Sequence, residues 1–490
     1  MKNQVQLITY VDRLSGGGFA ELGALLDGPL AGLFGTVHPL PFFYPIDGSD
    51  AGFDPIDHTL VDPRLGRWED VSQIAEHTDI LVDLIVNHVS SGSAAFQDFL
   101  SRGDDSDHAG MFLTFDKVFP DGASEADILA IYRPRPNLCF TPMTFRDGTK
   151  RLIWTTFTQQ QIDIDVFSDE GAAYLEAILD LFAKSGVTAI RLDAAGYAVK
   201  TPGTSCFMTP ETFEFLGTLA DKARGRGMEV LVEVHGYSGD QIEIASKVDM
   251  VYDFALPPLL LHALHTGDAA PLADWLKISP RNCLTVLDTH DGIGVIDVGA
   301  ATDGRPGLLE PAAINALVDT MHDATGGTSR KATGASASNL DLYQVNSTYF
   351  DVLGRDANAY LIARAVQFFC PGIPQVYYVG LLGGTNDMEL LAQTGVGRDI
   401  NRHFYTPEEV SAALKTPMVR KLCDLIRFRN THPAFSGDFD MQTPAPGRLI
   451  LSWTAGEARA ELSVDFKAKK AVIRHAGAAG EETVFSPGIG

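Results

Sequence analysis

The chain has 490 residues, of which 45% are hydrophobic and 21% are charged, and its formal net charge is -25. This length and composition predict a globular protein with a large core and more than one domain. Asp and Glu number 63 against 38 Lys and Arg. The acidic surplus argues against a protein that binds nucleic acid or an anionic membrane.

The N-terminal residues Met1–Tyr10 carry one positive charge and lack a sustained apolar core, so they do not resemble a signal peptide. We therefore expect a cytoplasmic protein. No apolar stretch approaches the roughly 20 residues that cross a bilayer. The five scattered cysteines form no C-x-x-C pair, which indicates buried reduced thiols and no cysteine zinc site.

Eight short apolar runs alternate with segments of helical spacing. Near-continuous apolar runs are typical of parallel strands that helices cover on both faces. Strand–helix alternation over this length predicts an α/β fold, a (β/α)8 TIM barrel. The runs are Val5–Tyr10, Thr36–Leu40, Ile80–Val86, Thr188–Leu192, Glu229–Val234, Met250–Phe254, Leu284–Leu287 and Pro374–Tyr378.

Two gaps between these predicted strands are too long for simple loops, and we interpret them as insertions after strands 3 and 7. The final segment alternates apolar and polar residues, which predicts a small C-terminal antiparallel β domain. The predicted division is a barrel of residues 1–88, 168–291 and 357–434, insertion domains of residues 89–167 and 292–356, and a β domain of residues 435–490.

Acidic residues lie where three of the predicted strands end: Asp193 after the fourth, Glu233 after the fifth and Asp291 after the seventh. In such barrels the C-terminal ends of the strands form the active-site mouth. Retaining cleavage of a glycosidic bond needs a carboxylate nucleophile and a proton donor about 5–5.5 Å apart. Structural ion pairs are the alternative, but carboxylates at three separate strand ends favour the catalytic interpretation.

Four short motifs resemble the signature regions of the α-amylase superfamily of glycoside hydrolases: Asp83–His88, Arg191–Asp193, Glu233–His235 and His290–Asp291. These motifs do not separate hydrolases, transglycosidases, isomerases and phosphorylases. Longer strings are similar to the sucrose phosphorylase family over nearly the whole length. They are Asp50–His58, Tyr132–Pro136, Leu340–Tyr349, Pro374–Gly380 and Gly397–His403.

The resemblance implies a hexosyltransferase that acts on sucrose and inorganic phosphate through a β-glucosyl-enzyme. Asp193 would be the nucleophile, Glu233 the acid/base and Asp291 the transition-state stabiliser. Arg191 would keep Asp193 ionised by its opposite charge. We expect no cofactor and no metal, since a lone Asn87 in the first motif does not specify a calcium site, which needs 6–8 oxygen ligands. The family includes dimers, so a homodimer is one expected assembly.

The resemblance also implies the residues around the substrates. The substrate-binding residues would be Asp50, His88, Phe157, Arg191, His290, Asp341, Gln344 and Arg398. The phosphate-binding residues would be Arg135, His235 and Tyr343. Taken singly, several of these have plainer explanations: a histidine after an apolar strand is more often a satisfied core residue, and a phenylalanine is more often packing.

Alternatives stay open on the acceptor side of this site. His235 is followed by Gly-Tyr-Ser, where the family often has a larger residue, so acceptor packing can differ. Phosphorylases that use sucrose 6'-phosphate, glucosylglycerate or glucosylglycerol are the main alternatives. An α-glucoside hydrolase would share every catalytic carboxylate, whereas a non-catalytic carbohydrate-binding module should lack part of the triad.

Overall fold

The computed structural model describes residues 1–48, 50–134, 137–301, 303–333, 344–477 and 482–488. Eight parallel strands close into a barrel in which each strand pairs with its neighbours in chain order, and the last pairs with the first. We number them β1 (Gln6–Thr9), β2 (Thr36–Pro39), β3 (Asp79–Ile85), β4 (Ala189–Asp193), β5 (Glu229–Val232), β6 (Met250–Asp253), β7 (Cys283–Thr285) and β8 (Ile373–Tyr377).

Helices follow the strands around the barrel. The principal ones, in the order of the strands they follow, are Phe19–Asp27, Trp68–Ala75, Asp169–Lys184, Pro210–Arg224, Ser238–Ala245, Leu256–Thr266 with Ala270–Ile278, Ala357–Phe369 and Pro417–Thr431. Several begin at a capping side chain; Ser168, for example, accepts a hydrogen bond from the backbone N–H of Gly171, which satisfies one of the free donors of the first turn.

The alternation of side chains along the strands separates two parts of the core. On β3, Ile80, Val82 and Leu84 pack in the large cluster shared with the helices. Leu81 belongs to a smaller cluster that also contains Ala189 and Leu231 of the neighbouring strands. Since side chains alternate with period two, the residues on the same side as Ala189 are Arg191 and Asp193, which is how β4 delivers both to the barrel's interior.

The two long connections carry additional elements. Between β3 and Asp169 lie helices Ala94–Arg102, Phe115–Val118 and Glu125–Ala130, a hairpin of Phe140–Thr144 with Lys150–Trp154, and a ladder of His88–Ser90 with Gln161–Asp163. Between β7 and Ala357 lie helices Pro311–Ala324 and Tyr349–Val352 and a ladder of Ile293–Gly294 with Gln344–Val345. Further short elements are Val11–Ser15, Phe43–Tyr44 paired with Asp57–Val61, Tyr378–Leu381, Met388–Thr394 and Pro407–Ala413.

The C-terminal segment forms a five-stranded antiparallel sheet, β9 (Asp438–Gln442), β10 (Arg448–Ala455), β11 (Ala458–Asp465), β12 (Lys470–Ala476) and β13 (Glu482–Phe485). It packs on the barrel's outer helices, where the Trp453 indole donates a hydrogen bond to the backbone oxygen of Phe369 at 2.8 Å. The predicted fold class is thereby confirmed. Among the described residues, no helix combines the length and apolarity needed to span a membrane.

Candidate active site

The three carboxylates reach the mouth of the barrel in different ways. Asp193 is the last residue of β4, and Glu233 is the first residue after β5. β7 ends at Thr285, two residues earlier than the sequence pattern predicted, so Asp291 lies six residues beyond it on a loop. The polar residues that follow Leu287 therefore form a loop. Side chains from other segments hold this loop in place, since no strand pairing among the described residues does so.

That loop is fixed by buried hydrogen bonds from two other segments. Arg402 donates through Nε to the backbone oxygen of His290 at 2.9 Å, and Asn401 donates to the backbone oxygen of Thr289 at 3.1 Å. Arg364 on helix Ala357–Phe369 binds both carboxylate oxygens of Asp288 at 2.7 and 2.8 Å. Buried polar groups with satisfied partners rigidify a core, so Asp291 is carried by a stiff loop.

One buried guanidinium links the carboxylates of three neighbouring strands. Arg191 Nη1 lies 2.5 Å from Asp83 Oδ1 and 2.9 Å from Asp193 Oδ1, and its Nη2 lies 3.5 Å from Glu233 Oε1. Asp83 also accepts from His38 Nε2 at 2.9 Å. Burial alone would raise the pKa of Asp83, but His38 and Arg191 lower it to about 2.

This sharing corrects the expectation that Arg191 simply keeps Asp193 ionised. Burial raises the pKa of Asp193 well above its ordinary value. Arg191 opposes the shift, while the negative charges of Glu233 and Asp83 add to it. Burial and the repulsion of the neighbouring carboxylates together outweigh the attraction of the single guanidinium.

Asp291 has the opposite electrostatic environment. Its Oδ1 lies 2.8 Å from Arg398 Nη1 and 3.8 Å from Arg402 Nη2. Burial would raise the pKa of Asp291, but Arg398, His290 and Arg402 hold it far below its ordinary value. The ionised form of this carboxyl group is therefore strongly favoured, although the residue is only 8% exposed.

These residues surround one pocket of about 840 Å³ including its open mouth. Nine predicted site residues line it: Asp50, His88, Phe157, Asp193, Glu233, His235, His290, Asp291 and Arg398. Arg191 lies beneath the pocket and contacts the carboxylates. The predicted residues Arg135, Asp341 and Tyr343 lie outside the described residues. The roles assigned to all of these side chains stay predictions.

Two residues that sequence reasoning missed organise one wall. The Phe53 ring stacks on His290 with ring centres 4.9 Å apart, and its backbone oxygen lies 3.0 Å from His88 Nε2. Gln161 Nε2 lies 3.0 Å from His88 Nε2 and donates to Asp50 Oδ2 at 3.4 Å. Phe53 lies within the family-like string Asp50–His58, so the sequence offered a reason to place it in the site. No motif surrounds Gln161, so the sequence offered no such reason there.

Aromatic rings form the adjoining wall. Phe157 meets His88 edge-on at 5.4 Å and Tyr197 edge-on at 5.0 Å. Tyr197 contacts the ring of Phe207 at 4.5 Å, and Tyr132 stacks on Phe207 at 4.8 Å. Apolar walls with a few convergent polar groups are typical of small-ligand pockets, so these rings offer packing and the polar residues around His88 offer hydrogen bonds.

His235 stands beside Glu233 on the segment that follows β5. Its Nε2 lies 3.7 Å from Glu233 Oε1 and 3.3 Å from Gln344 Nε2. The opposite nitrogen, Nδ1, lies 3.0 Å from Asp297 Oδ2. Burial would lower the pKa of His235, but the neighbouring carboxylate of Asp297 raises it above its ordinary value. The protonated form of the imidazole next to the expected acid/base is therefore favoured by its neighbours.

A buried lysine, Lys200, holds the first insertion against the loop after β4. Lys200 Nζ lies 2.8 Å from Asp163 Oδ2 and 2.8 Å from Asn87 Oδ1, and it also donates to the backbone oxygen of Tyr197. Its side chain is 2% exposed. A buried ammonium needs such compensation by oxygens, and the three contacts tie β3, the first insertion and the loop after β4 to one another.

Within the described part of the chain, Glu233, His235 and Asp291 place candidate ligand atoms within 4.8 Å of one another. This spacing alone could suit a metal ion. The guanidinium of Arg398 already contacts Asp291 at 2.8 Å, and Arg191 lies near Glu233 at 3.5 Å. Two fixed cations at the same oxygens oppose binding of a divalent cation, so the arrangement favours carboxylate catalysis.

The chain shares its fold with the α-amylase from H. orenii, whose crystal structure matches with a TM-score of 0.67 and 15% identity, covering 97% of this chain and 91% of that chain. No protein-family model matches the chain. It is 67% identical to the sucrose phosphorylase of Agrobacterium vitis over 97% of this chain and 98% of that protein. It is 54% identical to the sucrose phosphorylase of Bifidobacterium adolescentis, over 95% of this chain and 93% of that protein.

The crystal structure of the sucrose 6F-phosphate phosphorylase from Thermoanaerobacter thermosaccharolyticum matches with a TM-score of 0.92 and 38% identity, covering 99% of this chain and 98% of that chain. The chain therefore belongs to the sucrose phosphorylase family.

Proposed function

We propose that this chain catalyses the reversible phosphorolysis of sucrose to α-D-glucose 1-phosphate and D-fructose with retention of configuration. The observation that carries the proposal is the pairing of Asp193 and Glu233 at the ends of neighbouring strands, both near Arg191 at 2.9 and 3.5 Å. Membership of the family adds support, since relatives at 67% and 54% identity carry the name sucrose phosphorylase. Two carboxyl groups so placed suit a double displacement.

In the first half-reaction, Asp193 attacks the anomeric carbon of the glucosyl unit while Glu233 gives its proton to the glycosidic oxygen. The bond between the anomeric carbon and that oxygen breaks, and fructose leaves as a neutral alcohol. Positive charge develops on the glucosyl ring in the transition state. The ionised Asp291 beside the ring stabilises this charge by electrostatic attraction in a site of low dielectric.

In the second half-reaction, a phosphate oxygen attacks the anomeric carbon and displaces Asp193. Glu233, ionised by the first step, accepts the proton of the attacking phosphate hydroxyl. The product is α-D-glucose 1-phosphate, and both carboxyl groups return to their starting states. Two inversions at one carbon give net retention.

The remaining polar groups of the pocket would bind the glucosyl hydroxyls. Asp50, His88 and Gln161 lie together on one wall, and His290 and Arg398 lie around Asp291. Phe157 would cover an apolar face of the ring. Gln344 next to His235 would contact the acceptor. A cytoplasmic location and a homodimer stay predictions from the sequence.

The proposal is tested by incubating purified protein with sucrose in phosphate buffer and in phosphate-free buffer, and by measuring glucose 1-phosphate, glucose and fructose. We expect glucose 1-phosphate that depends on phosphate, with little free glucose. Mainly free glucose would identify a hydrolase. The reverse reaction can also be tested with glucose 1-phosphate as the donor. If it gives product with fructose 6-phosphate, glycerate or glycerol but not with fructose, the proposed mechanism stands and the proposed acceptor is wrong.

A further inference from the structure

Asp297 is a buried carboxylate that the mechanism above does not use. It stands on the 3-10 turn Ile296–Val298 after the ladder strand Ile293–Gly294, 62 residues beyond His235, and its side chain is fully buried. Its Oδ2 lies 3.0 Å from His235 Nδ1, and its Oδ1 accepts from the Gly236 N–H at 3.0 Å and from Gln241 at 3.1 Å. Both carboxylate oxygens therefore make hydrogen-bond contacts with the segment that carries His235.

The surroundings restrict how the ring of His235 can turn. Phe254 stacks on it with ring centres 3.8 Å apart and an angle of 17°. With Nδ1 bonded to Asp297, Nε2 must face Glu233 and Gln344, at 3.7 and 3.3 Å. In a histidine, the bond made by one nitrogen sets which nitrogen is presented on the other side.

Gly294 has no side chain, and this leaves the space in which Asp297 and His235 meet. A Cβ built on Gly294 would lie 2.0 Å from Asp297 Oδ2 and 3.3 Å from His235 Nδ1. Real Cβ atoms do not approach other atoms so closely, so only glycine allows the carboxylate and the imidazole to meet there. The backbone of the insertion after β7 is thus shaped around the contact.

We propose that Asp297 is a positioning residue for the acceptor half of the reaction: it fixes the ring of His235 so that Nε2 is presented to the incoming phosphate. This inference rests on the proposed function. Among the described residues, the charged groups with the largest influence on His235 are the carboxylates of Asp297, Glu233 and Asp291. Each favours the protonated ring, and Asp297 alone also holds its orientation. A protonated imidazole binds a phosphate oxygen more strongly than a neutral one does, because the hydrogen bond is charge-assisted.

The test compares Asp297→Asn with the wild type, each loaded with α-D-glucosyl fluoride and supplied with a range of phosphate concentrations. Asparagine keeps the size of the side chain and removes its charge. We expect the ratio of glucose 1-phosphate to glucose at a fixed phosphate concentration to fall by about tenfold or more, the size of loss found when a carboxylate that orients a metal-ligating histidine is removed. Release of fluoride at low phosphate should change much less.

The pH profile separates positioning from general damage. Loss of Asp297 removes the largest influence that favours the protonated ring, so phosphate-dependent turnover in Asp297→Asn should decline at a lower pH than in the wild type. Phosphate ionises identically in both assays, so the difference reports on the protein. Gln241→Leu is the matched control, because it removes a neighbour of Asp297 and keeps the charge; its product ratio should stay at the wild-type value.

If Asp297→Asn does not fold, Gly294→Ala serves as the second variant, since its Cβ would push the carboxylate away from His235 and should lower the same ratio. Equal losses of phosphorolysis and hydrolysis, with an unshifted pH profile, would overturn the proposal. A wild-type enzyme that makes no glucose 1-phosphate would instead refute the proposed function, so the two failures are distinguishable.

Discussion

Arg398 Nη1 lies 2.8 Å from Asp291 Oδ1, and this contact joins the loop after β8 to the loop after β7 across the mouth of the pocket. Asp291 is buried, so its charge depends on the arginines around it. Arg402 is the second of these, at 3.8 Å. Arg398 is 24% exposed on the pocket side, so it can meet the substrate and hold Asp291 at the same time.

Arg398→Ala should therefore lower kcat/KM for sucrose by roughly 100-fold, the size expected when one preorganised electrostatic contact is lost from a site of low dielectric. Arg398→Lys should give an intermediate loss, because it keeps the charge but not the planar fork. Arg427→Ala, at an exposed arginine on helix Pro417–Thr431, is the matched control. Losses within a few-fold for Arg398→Ala would contradict this role.

The pH dependence of the first half-reaction should reveal the environment of Asp193. Burial and the negative charges of Glu233 and Asp83 raise its pKa. Asp193 must be ionised to attack, so activity at low pH should be lost at a higher pH than an ordinary aspartate would dictate. Glu233→Gln removes one negative neighbour and should move this acidic limb to lower pH. α-D-glucosyl fluoride is the donor of choice, since fluoride leaves without a proton from Glu233. An acidic limb that stays in place, or moves to higher pH, would contradict the electrostatic account.

Lys200→Met should destabilise the protein by about 3–5 kcal/mol, the usual cost of removing one partner of a buried ion pair. Asp163 would be left buried beside Asn87 without its cation. The melting temperature measures the effect. Lys222→Met, which breaks the more exposed pair with Glu176, should change it little. Similar melting temperatures for the two variants would show that Lys200 is dispensable for stability.

Asp253 should make the stability of the folded protein depend on pH over a defined interval. Burial raises its pKa to about 7, although Trp275 and backbone N–H groups donate to it. The unfolded carboxyl ionises near pH 4, so the folded state holds the proton over the interval between. Stability from this group is complete below pH 4 and is lost as the pH rises towards 7. The melting temperature of Asp253→Asn, measured relative to that of the wild type, should therefore rise as the pH is raised from 5 to 8. A difference that is constant with pH would contradict the raised pKa.

The barrel strands could be predicted because a strand covered on both faces is a near-continuous apolar run. The positions of Asp193 and Glu233 followed, since each comes at the end of such a run. Asp291 was placed near a strand end, but the strand stops at Thr285. Its position depends on hydrogen bonds from Asn401 and Arg402, more than 100 residues away, which no local pattern encodes.

The electrostatics of the site were less predictable for the same reason. The sequence places Arg191 two residues from Asp193, but it does not show that Asp83 and Glu233 share the same guanidinium. Lys200 and Asp297 had no motif at all. Each acts through partners brought together only by folding, so their roles depend on the geometry of the assembled barrel.

The central claim, transfer of a glucosyl group from Asp193 to phosphate, is tested most directly by trapping the intermediate. The wild-type enzyme is mixed with α-D-glucosyl fluoride without phosphate, quenched in acid and mapped by peptide mass spectrometry, with and without a brief phosphate chase. We predict a glucosyl adduct on the peptide that contains Asp193, which phosphate removes rapidly with formation of α-D-glucose 1-phosphate. An adduct on another residue, or one whose decay does not depend on phosphate, would contradict the account.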